Sequence, residues 1–143
     1  MSKSLGYYTF TGTQAITAGA TLPLTTTTRQ FGKNIILGNN SAIIRPVCGC
    51  NATANNSAGY YTASVNTTLV ASAAGAITVR LYQDGTPVSG AFQTVTATAA
   101  ADNVGFSFSA PVRVFCNQTS TLSIVVSGQN VTATNVALEV VKE

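Results

Sequence analysis

Three cysteines and four acids offer the most chemistry in this 143-residue chain, which contains no histidine. Cys48 and Cys50 flank Gly49, so an extended backbone puts both thiols on one face, and Cys116 follows much later. Three thiols without histidine make a poor mononuclear zinc set, although a symmetric oligomer could gather thiolates from several chains. A disulfide from Cys116 to Cys48 or Cys50 would leave one thiol over. In a reducing compartment cysteines more often stay reduced and pack as small hydrophobes. Packed thiols or one disulfide are therefore the readings kept for Cys48, Cys50 and Cys116, and no metal or cofactor is expected.

Enzyme chemistry fails for lack of parts. Without histidine, Ser-His-Asp and Cys-His arrangements cannot form. Asp84 and Asp102 could meet as a carboxylate pair for acid–base work, but each lies in a turn pattern that already explains it. Glu139 falls on the last strand and Glu143 at the terminus. No serine pattern recommends Lys3, Lys33 or Lys142 as half of a Ser-Lys dyad, and no Gly-rich phosphate loop exists. The chain reads as a non-enzyme.

The net charge of +3 comes from seven basic residues: Lys3, Arg29, Lys33, Arg45, Arg80, Arg113 and Lys142. They are scattered, whereas nucleic-acid binding calls for a basic cluster. No run approaches the 18 or so apolar residues of a membrane helix, and no apolar h-region follows the first residues. The expectation is a protein made in a cytoplasm, with neither nucleic acid nor membrane as partner. Six Asn-x-Ser/Thr sequons, at Asn39, Asn51, Asn55, Asn66, Asn117 and Asn130, are compositional in a chain so rich in Asn and Thr.

The elements that must carry these residues follow from composition and period. Charged residues are 8% of the chain against an ordinary quarter, with 45% hydrophobic. That excludes a disordered chain. Two Glu, three Lys and eight Leu cannot supply a helical bundle, while 22 Thr and 15 Val suit pleated surfaces and 12 Gly and 11 Asn suit the turns between them. Residues 60–71 alternate cleanly, with Tyr61, Ala63, Val65, Thr67, Leu69 and Ala71 on one face. Residues 76–83 follow, with Ile77, Val79 and Leu81 inward and Arg80 and Tyr82 outward. Asp84-Gly85 is a hairpin signal. Pro87 to Gly90 carries the chain into a strand over 92–98, and Asp102-Asn103 is a further turn, with 97–102 a candidate helical turn by composition. Phe106 and Phe108 share a face over 104–108, Pro111 interrupts, and 112–115 continues as an edge or bulged strand. Residues 122–127 and 135–141 are the last strands. Before residue 58 the pattern is weaker, with short strands expected at 7–10, 14–16, 34–37 and 42–48, and Thr25 to Thr28 reads only as low complexity.

Eight to ten short strands in one domain, residues 1–143, point to an all-β antiparallel sandwich or jelly roll. A surface so poor in charge is either coated with Thr, Ser and Asn or partly covered by other copies of the chain. Tyr7-Tyr8 and Tyr60-Tyr61 could serve as sugar-stacking platforms, but strand neighbours point to opposite faces, so each pair offers one ring outward. Core or subunit-interface packing is the reading kept for the aromatics Tyr61, Tyr82, Phe106 and Phe108.

Residues 57–143 resemble a known pattern. Ala58-Gly59-Tyr60-Tyr61-Thr62-Ala63-Ser64-Val65-Asn66 precedes Leu81-Tyr82-Gln83-Asp84-Gly85-Thr86-Pro87-Val88, and the chain ends in Leu122-Ser123-Ile124-Val125-Val126-Ser127-Gly128 and Val136-Ala137-Leu138-Glu139-Val140-Val141-Lys142. This is similar to the tumour-necrosis-factor-like, complement-type jelly roll in its short bacterial and phage form, found in globular ends of exosporium collagen-like proteins and in small virion proteins. The resemblance implies a ten-stranded jelly roll, a homotrimer and no catalytic residues. No collagen-like stalk precedes the domain, which argues against a spore-surface filament tip.

The functional expectation is a non-enzymatic structural virion protein, a trimeric capsid decoration or head-fibre protein of a tailed phage. Its partners would be itself and the major capsid protein or another virion protein, with residues 1–30 as an N-terminal anchoring segment. The alternative is a trimeric adhesin or glycan-binding head at a bacterial cell or spore surface.

Overall fold

The computed structural model describes residues 4–46, 59–115 and 117–142. Ten strands run in chain order: β1 (Leu5–Ile16), β2 (Thr26–Phe31), β3 (Ile35–Leu37), β4 (Ala42–Ile44), β5 (Gly59–Ala71), β6 (Gly75–Gln83), β7 (Thr86–Ala97), β8 (Asn103–Val114), β9 (Ser120–Ser127) and β10 (Val131–Lys142). They form two five-stranded sheets, β2-β1-β10-β5-β8 (sheet I) and β3-β4-β9-β6-β7 (sheet II), with antiparallel pairing throughout. From β4 on, the chain passes repeatedly between the sheets. It is an antiparallel jelly-roll sandwich.

Period-two burial explains the core. In β5 the predicted face, Tyr61, Ala63, Val65, Thr67, Leu69 and Ala71, is buried throughout. Ile77, Val79 and Leu81 of β6 meet it from sheet II, joined by Leu122, Ile124 and Val126 of β9 and by Val136, Leu138 and Val140 of β10. Thr67 is tolerated inside because its hydroxyl donates to the Asn135 carbonyl at 2.8 Å, beside the bulge where β10 slips one residue against β5. At the β6–β7 hairpin Asp84 and Gly85 both have positive φ, 53° and 81°. That is the turn whose twist matches two right-twisted strands.

The structure departs from the sequence reading where a strand lacks an alternating apolar face. β2 is exposed along its whole length, so its Thr-rich sequence carried no burial signal. β1 is one strand rather than two, bending at a register shift between Thr11 and Gln14. β7 starts at Thr86 and takes in Pro87, which pairs with Tyr82, and residues 88–91 form a bulged stretch before Phe92, the partner of Arg80. β8 runs unbroken through Pro111, which pairs with Thr62. β8 is a sheet edge, where every second N–H faces away from the ladder and a missing donor costs nothing. Residues 98–102 form a turn rather than a helical one.

Candidate assembly face

The inner side of sheet I faces the core; its outer side carries what can act on another molecule. Register and parity define cross-strand rows on that side. The first is Phe31, Leu5, Val141, Thr62 and Pro111, from β2 to β8. The second is Arg29, Tyr7, Glu139, Ser64 and Ser109. The third is Thr26, Thr9, Ala137, Asn66 and Ser107, and a fourth adds Thr11, Asn135, Thr68 and Gly105.

The face is lopsided. Bulky apolar and aromatic side chains, Phe31, Leu5, Tyr7 and Val141, gather on the β2–β1–β10 side near one end. At that same end the β5–β8 side carries Tyr60 and Arg113, and beyond them it is flat, built of Ser64, Ser107, Ser109 and Gly105. Phe31 is 63% exposed. Beside it Ser4, Leu5, Phe31, Val141 and Lys142 line a groove of about 540 Å³. Ser4 is buried, and among the described residues its hydroxyl has no hydrogen-bond partner.

Charge on this face is sparse and placed. Glu139 lies on β10, the middle strand of the five, and is exposed. Among the described residues its carboxylate has no ion-pair or hydrogen-bond partner. Arg113 sits on the β8 edge, past the first row. Its guanidinium lies over two rings, Phe115 at 4.6 Å and Tyr60 at 5.6 Å. Tyr60 is itself 53% exposed. Arginine held between rings keeps its donors free for an acceptor elsewhere.

The residues singled out from sequence scatter through the fold. Tyr61 is buried, its hydroxyl without a hydrogen-bond partner among the described residues, and Lys142 Nζ stands 5.1 Å from its ring centre. Burial pushes its phenol up from the ordinary tyrosine value. Tyr8 is buried as well, donates to Gln30 Oε1 at 3.0 Å, and is pushed up to about 12 by the same loss of solvent. Their neighbours Tyr7 and Tyr60 point outward. Phe106 is in the core, Phe108 half-buried against it, and Tyr82 half-exposed on the outer side of sheet II. Cys48, Cys50 and Cys116 lie outside the described residues.

Asp84 and Asp102 do not meet. They cap opposite ends of β7, a 12-residue strand about 36 Å long at 3.3 Å per residue, long enough to keep them apart. Asp84 accepts from the Ser120 hydroxyl at 2.6 Å and the Thr121 amide at 2.9 Å, tying the hairpin to β9. Asp102 Oδ2 accepts from the Thr98 hydroxyl and amide and the Ala99 amide. Those bonds, the Thr98 hydroxyl foremost, hold it below the usual carboxylate range. Both acids are turn builders. Among the described residues no three His, Cys, Asp or Glu side chains gather as a metal site, and no helix is long and apolar enough to cross a membrane.

Glu139, Arg113 and the Leu5–Phe31–Val141 cluster were not singled out from sequence. From sequence Glu139 falls on the last strand, over 135–141, with neither its face nor the position of that strand among its neighbours assigned.

No family model matches the chain, and no curated protein sequence matches it. Solved structures do. The Eiger TNF of S. frugiperda superposes with a TM-score of 0.60 at 9% identity, covering 99% of this chain and 91% of that one. The globular domain of zebrafish complement 1qA gives 0.54 at 8%, covering 96% and 94%. The fold is a jelly roll of the TNF and C1q type. The PRD1 vertex protein P5 shares this jelly roll, at a TM-score of 0.52 and 11% identity, covering 98% and 96%. Identities this low carry the fold and nothing finer.

Proposed function

We propose that this jelly roll is a non-enzymatic structural protein that works as a homotrimer, built through the outer face of sheet I, in the virion of a tailed phage. Capsid decoration or a head fibre is the role that suits its size. The carrying observation is the uneven outer face of sheet I: Phe31, Leu5, Tyr7, Val141 and Tyr60 gather at one end, and a flatter hydroxyl-bearing stretch lies beyond them on β5 and β8. Packed head to tail, with the edge of one copy over the face of the next, three copies would cover those groups and close into a ring. Covering Phe31, Leu5, Tyr7 and Val141 would also account for a surface so poor in charge.

The virion setting draws its support from the fold shared with the PRD1 vertex protein P5 and from the likeness of residues 57–143 to small virion proteins. The partner beyond the trimer would be the major capsid protein or another virion protein. In this reading residues 1–30 are the anchoring segment; they include most of the edge strand β2, whose exposed outer edge can accept a further strand. Cryo-electron microscopy of the particle that carries the protein tests this: density for three copies at a capsid site is expected, and a monomer found free of particles overturns it.

One observation favours the glycan-binding alternative. On the outer side of sheet II, Phe92 is 46% exposed with the Arg80 guanidinium 4.6 Å from its ring centre, a platform of the kind sugars stack on. Binding on a glycan array, lost in Phe92→Ala, would favour that reading.

A further inference from the structure

Resting on the trimer reading above, we infer that Glu139 of each protomer pairs with Arg113 of the partner subunit, and that this one charge pair selects the head-to-tail arrangement. The two groups are complementary, and among the described residues neither has an opposite charge within ion-pair distance. Glu139 is an exposed carboxylate with no partner among the described residues, at the middle strand of the face. Arg113 is an exposed cation steadied by the rings of Tyr60 and Phe115 at the edge of the same sheet.

Within one chain they cannot meet. On β5 the residue opposite Glu139 is Ser64, and the residue opposite Arg113 is Tyr60. Four residues along the strand and two strand spacings across it separate them by roughly 16 Å. A second copy laid edge-on-face removes that distance, bringing the β8 edge of one subunit over β10 of the next.

The same carboxylate excludes the competing assembly. A two-fold contact through the middle of the face would set Glu139 against Glu139, two like charges in a drying interface. Covering Glu139 with the flat serine half alone would strand an uncompensated charge. Arg29 lies in Glu139's own row, two strands away beyond Tyr7, on the bulky side of the face. A β8 edge arriving over β10 presents Arg113 instead.

Sedimentation velocity over a concentration series, with circular dichroism and thermal melts to establish that each variant is folded, provides the test. Glu139→Arg and Arg113→Glu, both exposed in the protomer, are each expected to raise the dissociation constant about 100-fold. The double variant, with the charges exchanged, is expected to return to within about tenfold of the original. Arg29→Glu should move it only a few-fold, and Glu139→Gln should weaken the trimer in the same direction as Glu139→Arg. A trimer indifferent to Glu139→Arg, a double variant that fails to recover, or an equal loss from Arg29→Glu overturns the inference while leaving the trimer standing. An unsubstituted protein that sediments as a monomer overturns the trimer and the inference together.

Discussion

Tyr8 and Tyr61 place phenolic hydroxyls inside the sandwich, and both are harder to ionise there than in water. An unfolded chain ionises its tyrosines near pH 10, whereas Tyr8 holds its proton to about 12. Below pH 10 both states are neutral and the folded state keeps its full advantage. Between about 10 and 12 the unfolded chain alone releases protons, so stability falls as pH rises. Melting temperatures measured from pH 8 to 12 should drop along that limb, and Tyr8→Phe should flatten it. The same substitution removes the hydrogen bond to Gln30 Oε1 and costs about 1 kcal/mol at neutral pH. Asp102 has the opposite sign. Its folded value lies below the ordinary carboxylate value, so its contribution is present above about pH 4 and is lost as pH falls through the depressed value. Asp102→Asn should melt lower at pH 7 and lose less on acidification, as followed by thermal scans at both pH values.

At the scale of elements, two glycines in turns separate conformational strain from collision. Gly85 has φ 81° and nothing within 4 Å of where a Cβ would stand. Gly85→Ala should therefore cost only the left-handed penalty, about 1 kcal/mol. Gly128 has φ 101°, and a Cβ there would run into the backbone carbonyl of Ala76. Gly128→Ala should cost about 2–4 kcal/mol, because neither the turn nor the first residues of β6 can yield cheaply. Urea unfolding of the two variants side by side checks the ranking. Strands were legible in sequence to the extent that they bury alternate residues. β5, β6 and β9 were plain because each faces the core along its whole length. β2 was not, because a strand of Thr, Arg and Gln ending in an exposed Phe buries nothing and differs from a loop only in having β1 beside it. Pro111 suggested an interruption for a sound local reason, and only the edge position of β8 cancels it.

For the whole molecule, the lopsided face predicts an oligomer of defined size. Light scattering should give about 44 kDa, three times the 14.6 kDa of one chain. Val141→Asp puts a charge into the bulky half of the face, beside Leu5 and opposite Thr62. It should shift the mass to that of a monomer while the far-ultraviolet dichroism of the sandwich persists, because Val141 points away from the core. A mass of 14.6 kDa for the unsubstituted chain would remove the basis of the assembly reading.

The amino-acid sequence by itself determined the all-β class, the core faces of β5 and β6, the existence of β9 and β10, the Asp84-Gly85 hairpin and the scarcity of catalytic groups. These are local properties: period two, left-handed turn residues and composition act within a few positions of one another. The tertiary structure alone decided that β1 and β2 extend sheet I, that β10 lies at its middle and β8 at its edge, and hence that Glu139 is central and Arg113 peripheral. Strand order pairs residues more than a hundred positions apart, such as Leu5 with Val141. It is fixed by which faces close one core together, and no local signal encodes that. The 8% charge content is a property of the sequence, but the places where those few charges sit, and what they can meet, are properties of the fold.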